Sequence, residues 1–194
     1  MHKFMSRTLQ LFMPIILLLS LDLKAQDFDY LAAWNDVKRL ELQGLSESAL
    51  QKIDSIYSKA SVDENDQEKL KATIYQTKYA LLLKEDAQNE VLQVLTNRAT
   101  SAKEPYRSVY HYLRASSLFS YYSSNSYRID QRQVENTDTT DFSFWSKAKF
   151  QEEIHASFSK SLLTDENPLL DNKSIQMLFK TDSLNNYQGL TLKD

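Results

Sequence analysis

The 194-residue chain has no cysteine, only two glycines and only three prolines. Without a thiol it has no disulfide, no thiolate nucleophile and no lipid-modified cysteine, so its core alone must hold it together, which a chain of this length can do. Gly44 and Gly189 are too far apart to build a phosphate-cradling loop, which needs several glycines close together so that backbone can approach the ligand. Basic charge is not concentrated either. Lys and Arg number 23 against 26 Asp and Glu, for a formal charge of −3, and no segment gathers cations as a phosphate-tracking groove does. Nucleic acid is therefore not expected as a partner.

The one long apolar run is at the start. "MHKFMSRTLQLFMPIILLLSLDLKAQDF" has basic residues, an apolar stretch from Leu9 to Leu21 and small Ala25, the three-part layout of an export signal. The stretch is short for a spanning helix, which needs about 20 apolar residues. A signal peptide over 1–25 is expected, leaving 26–194 as the mature chain in the periplasm, associated with the outer envelope or secreted. No membrane span is expected after cleavage.

The mature part shows period 3.6 and no convincing period 2, so an all-α fold is expected. Tyr30, Ala33, Trp34, Val37 and Leu40 form one stripe. Gly44 suits the left-handed residue that ends a helix, and Ser46 is a plausible N-cap for the next. In "GLSESALQKIDSIYSKA", the step from Gly44 to Ala49 and the stripe Leu45, Ala49, Ile53, Ile56, Tyr57 and Ala60 have tetratricopeptide-like spacing. A first hairpin over 26–60 follows. The polar run "SVDENDQEK" separates it from a second hairpin over 70–100, with stripes Ala72, Tyr75, Tyr79, Leu82 and Ala87, Val91, Leu92, Leu95. A third helical section covers 104–194. Its first helix carries Tyr106, Val109, Tyr110, Leu113, Ser117 and Tyr121. A long loop is expected at 123–141, then a helix with Phe150, Ile154, Phe158 and Leu162, an exit at Pro168 and a short helix at 175–179. The architecture expected is an antiparallel helix-hairpin array.

Chemistry-bearing constellations are sparse. His111 and His155, the histidines of the mature chain, lie on different helices without a second ligand three or four residues away. The acidic "DENDQE" lacks the glycine and distal glutamate of a calcium loop. No nucleophile elbow exists. Neither catalytic residues nor metal ligands nor cofactor-binding residues can be assigned. The residues expected at an interaction surface are Trp34, Tyr75 and Tyr79 on a concave face, and Tyr106, Tyr110 and Tyr121 on an aromatic helix; tyrosine rings offer flat apolar area and a polar tip. Core packing is the competing reading of that aromatic stripe.

The ordered stretches "YLAAWNDVKRLELQGLSESALQKIDSIYSKA", "KATIYQTKYALLLKEDAQ", "YHYLRASSLFSYYSSNSYRI" and "DFSFWSKAKFQEEIHASFSKSLL" resemble the N-terminal helical region of bacterial alpha-2-macroglobulin-like proteins. In that family the region precedes serial macroglobulin β-sandwich domains. The resemblance implies a non-catalytic scaffold or docking part of a peptidase trap, whose partners would be downstream macroglobulin-type domains, envelope proteins or, through the full-length protein, peptidases. It also implies a frame that continues past Asp194. The family's Gly-Cys-Gly-Glu-Gln thioester motif is absent from these residues. The alternative is a stand-alone periplasmic tetratricopeptide-like adaptor for a peptide, protein or glycan.

Overall fold

The computed structural model describes residues 28–132 and 141–162. The expected signal peptide, the whole region after Leu162 including Pro168 and the helix expected at 175–179, and residues 133–140 of the expected loop lie outside them. Among the described residues there are six α-helices, one 3-10 turn and no strand: α1 Tyr30–Leu42, α2 Ser46–Val62, α3 Asp66–Leu83, α4 Gln88–Ser101, α5 Tyr106–Asp130, the turn Phe142–Phe144, and α6 Lys147–Leu162. They form an antiparallel helix-hairpin array of tetratricopeptide-like kind.

One turn motif sets the first two connections. Gly44 takes φ +71°, its N–H bonds the Glu41 carbonyl at 3.0 Å, and the Leu45 N–H bonds the Leu40 carbonyl at 3.0 Å. This is the two-bond helix stop that a left-handed residue permits. It brings the chain round early enough that α2 begins at Ser46 with Leu45 as its N-cap, so Ser46 is not the cap and no side chain caps this end. The same motif recurs at Glu64, with φ +53°, where the Asn65 N–H bonds the Ala60 carbonyl at 2.9 Å. Asn65 then caps α3 by accepting the Glu68 N–H at 3.1 Å. The polar run 61–69 is therefore mostly helix, and the connection is only 63–65.

α3 is buried from two sides, so it shows no single apolar stripe. Ala72 and Tyr79 pack with Ala33, Val37, Ile53 and Ile56 of α1 and α2. Leu70 packs the other way, with Val91, Leu95, Val109 and Tyr110 of α4 and α5. Leu82, expected in the stripe, is 63% exposed. The parallel helices α1, α3 and α5 lie in register. Glu41 pairs with Lys78 at 3.1 Å and the Thr73 hydroxyl lies 3.3 Å from that of Tyr110, both pairs being 37 residues apart. Lys71 sits over the Trp34 ring at the same offset.

α5 runs through Asp130, so the loop expected from residue 123 begins later. Its last turns bury only Ile129, which packs with Leu92, Leu118, Phe142, Trp145 and Phe150. The helical stripe there is invisible because its cover arrives from the far side of the connection. On α6, Phe150 is fully buried but Leu162 is 59% exposed, and the inward positions include Ser157 and Ser161. The helix is turned this way around Arg114, which donates to Ser157, to Glu153 at 2.8 Å and to Thr96 at 3.0 Å. Burial works to raise the Glu153 pKa, but the hydrogen bonds and charges of Arg114 and Lys149 outweigh it and hold the carboxyl below its usual range.

Three outcomes follow from these contacts. A Cβ at Gly44 would meet nothing within 4 Å, so only the backbone conformation opposes Gly44→Ala. It should lower stability by about 1 kcal/mol, and Glu64→Gly should raise it by about 0.5–1 kcal/mol, both read from urea unfolding. Arg114→Met removes the donor to Thr96, Ser157 and Glu153 and leaves Glu153 only Lys149, and should cost about 2 kcal/mol, discounted because both side chains of the ion pair are partly exposed.

Candidate functional site

Trp34, Tyr75 and Tyr79 meet where α1 lies beside α3. The Trp34 indole N–H donates to Glu68 Oε2 at 2.6 Å, and the indole sits 5.0 Å from the Tyr75 ring. Lys71 Nζ lies 4.3 Å from the Trp34 ring centroid, and Lys78 Nζ 5.4 Å from both the Tyr75 and Tyr79 rings. Glu41 Oε1 accepts from the Tyr79 hydroxyl at 2.8 Å and from Lys78 at 3.1 Å. Carboxylates thus hold the polar edges of Trp34 and Tyr79 while cations lie over the ring faces, each cation contact contributing about 0.5–1 kcal/mol at exposed sites. The result is an ordered aromatic cluster in which Tyr79 is buried while Trp34 and Tyr75 stay partly exposed.

Two of the tyrosines bonded to carboxylates, Tyr79 and Tyr30, are held as neutral donors. Burial raises the Tyr79 pKa well above its ordinary value, and Glu41 adds to it; at Tyr30 burial acts first and Asp63, 2.7 Å from its hydroxyl, second. Neither phenol is available as a base near neutral pH.

Of the six residues expected at an interaction surface, Tyr79 and Tyr110 are buried, and neither can offer a ring face to a partner. Tyr110 packs between α3 and α4, and burial pushes its pKa up to about 12 despite Thr73 and Arg98, which act to lower it. Tyr121 stands 4.5 Å from Phe142 and 5.9 Å from Phe150, inside the third core cluster. Tyr106 is half-buried against the α3–α5 core, and burial, with the Asp66 charge, raises its pKa. Trp34 and Tyr75 remain half-exposed. The aromatic side chains that α5 shows to solvent are instead Tyr112, Phe119 and Tyr127. Sequence reasoning also passed over Phe142 and Trp145 as core. The aromatic density of "DFSFW" directly after a polar run was the available signal.

Among the described residues no group of three or more His, Asp or Glu side chains is placed to hold a metal ion, and no helix is long and apolar enough to cross a membrane. His155 is exposed on α6, while His111 on α5 keeps Nδ1 buried without a hydrogen-bond partner. A cleft of about 410 Å³ opens between the α3–α4 connection and α5, with Glu85 and Asp86 on one side and Arg128 on the other. Arg128 is already engaged by Asn125 at 3.0 Å and by the Tyr121 hydroxyl at 3.3 Å. No family model, curated protein or solved structure gives a significant match to this chain.

Burial, reinforced by Lys160 and Arg114, holds His111 below the ordinary histidine pKa of 6.5, against the opposing Glu104 charge. The unfolded chain then binds the proton more readily, so stability falls as pH drops through 6.5 toward the folded-state value. His111→Met should remove this part of the slope between about pH 7 and pH 5, read from urea midpoints at each pH.

Proposed function

We propose that this chain is a non-catalytic helical scaffold, exported from the cell, that forms the N-terminal helical region of an alpha-2-macroglobulin-like protein. Its role there is to carry and dock the parts of a peptidase trap rather than to act on a substrate. The observation that carries the reading is the registered array itself: helix pairs stacked at a 37-residue step, each joined to the next by side-chain hydrogen bonds. Such a stack is a stiff spacer with extended flanks, suited to positioning other domains. The order of its helices follows the stretches in which the sequence resembles that family. The covalent chemistry of a thioester has no counterpart in these residues, since the chain contains no cysteine.

A second reading, a free-standing envelope adaptor, draws support from the ordered, partly exposed pair Trp34 and Tyr75. Reading the source DNA for several kilobases past the codon for Asp194 separates the two. A frame encoding serial β-sandwich domains, continuous or restored by one frameshift, is the expected outcome. A clean stop followed by an unrelated gene would remove the scaffold reading and leave the adaptor.

A further inference from the structure

The joint between α5 and α6 has a fixed antiparallel register. Arg114 donates to Ser157, the Tyr112 ring lies 6.0 Å from that of Phe158, and the Tyr121 ring lies 5.9 Å from that of Phe150, so each step forward on α5 is one step back on α6. His111 on α5 therefore stands opposite Lys160, in the last turn of α6. Its Nδ1 is buried there without a hydrogen-bond partner. The hydroxyls that α6 turns inward are engaged elsewhere: Ser157 accepts from Arg114, and Ser161 donates to the Phe158 carbonyl at 2.6 Å.

The charges that face this imidazole are Lys160 from α6, Arg107 and Arg114 from α5 itself, and Glu104 from the turn before α5. Glu104 is the one carboxylate among them, and it already accepts from the Ser108 backbone N–H at 3.2 Å and from the Ser108 hydroxyl at 2.7 Å. Glu153, one turn or more back along α6, is taken up by Arg114 and by Lys149 at 2.9 Å, and its carboxyl, held below its usual range, stays ionised in mild acid. Whichever nitrogen carries the first proton, the imidazolium adds a positive charge beside three others and a buried Nδ1–H with no acceptor. The helix it meets is unevenly anchored. The first half of α6 is fixed by fully buried Phe150, whereas the last two turns point Ser157 and Ser161 inward, leave Leu162 59% exposed and rest on half-buried Phe158. Segments with few buried apolar contacts open before the rest of a fold.

We propose that the last two turns of α6, residues 156–162, form a proton-operated latch, lying on α5 while His111 is neutral and leaving it when His111 is protonated. The half of α6 anchored by Phe150 stays in place. Burial, with Lys160 and Arg114, holds His111 below its ordinary pKa, so the proton binds more readily once the latch is open, and mild acid draws the equilibrium toward the open form. The device goes beyond the scaffold reading and does not depend on it, because every group in it belongs to α5, α6 and the turn before α5.

The test is hydrogen exchange, read by mass spectrometry on the full chain at about pH 7.5 and about pH 5.5 and corrected for the intrinsic pH dependence of amide exchange. Amides of 157–162 should lose protection several-fold at the lower pH, with a ceiling of about tenfold for a histidine whose open-state pKa is the ordinary 6.5. Those of 150–154 and of α1 and α2 should hold theirs. His111→Met should abolish the response. Lys160→Met, at an exposed position, should keep the fold and reduce the response, since one of the opposing charges is gone. His155→Gln, also exposed on α6, should leave it whole. Equal protection of 157–162 at both pH values, a loss shared equally by α1 and α2, or a response that survives His111→Met or vanishes with His155→Gln would overturn the proposal. Should His111→Met not fold, Lys160→Met decides: a reduced response supports the latch and an unchanged one overturns it.

Discussion

Arg98 is the pin on which the array turns. The backbones of α3 and α4 approach each other far less closely than those of α2 and α3 or of α4 and α5, so side chains must close that joint. From α4 the Arg98 guanidinium donates to Thr73 and, at 2.8 Å, to Gln76 on α3, and it lies 4.0 Å from the Tyr57 ring centroid of α2. Gln76 in turn donates to Asp54 of α2 at 2.6 Å. A rigid planar fork suits this work, because each hydrogen bond it makes also fixes the direction of the others. Arg114 repeats the device one unit on, reaching from α5 to α4 and α6.

These pins explain what was readable in the sequence and what was not. The stripes of α1, α2 and α4 follow apolar periodicity, and Ala33, Val37, Ala49, Ile53, Ile56, Val91 and Leu95 are all buried where that periodicity puts them. Gly44 announced its turn by being one of two glycines. Glu64 did not, because nothing in an acidic run marks one residue for a left-handed backbone. α3 and α6 were misread on one face each for a shared reason. Their inward positions include Thr73 and Ser157, hydroxyls that are buried against an arginine from a neighbouring helix, and that pairing is visible only once the helices are packed; Ser161, also buried, donates instead to the Phe158 carbonyl.

The candidate site was legible in part by the same logic. Trp34 and Tyr75 stay at the surface because α1 and α3 touch through side chains rather than through a close backbone approach. Tyr110 and Tyr121 turn inward because α5 has covered neighbours on three sides, α3, α4 and α6, and its aromatic residues exceed what one exposed strip can hold. Counting tyrosines along a helix does not tell which of them face that strip. The register between helices does, and it becomes readable from the sequence only after one contact has supplied the step of 37 residues.

The connection at 63–65 bears on how this chain can change. Because the two-bond stop at Ala60 and Ser61 and the Asn65 cap overlap within three residues, the turn has no slack. Adding or deleting one residue there would rotate α3 by about 100° relative to α2. Ala72 and Tyr79 would leave their core, and the joint at Arg98 would lose Thr73 and Gln76 together. The side chains of this turn can vary widely, but the number of residues in it cannot: here the chain stores its architecture as a length.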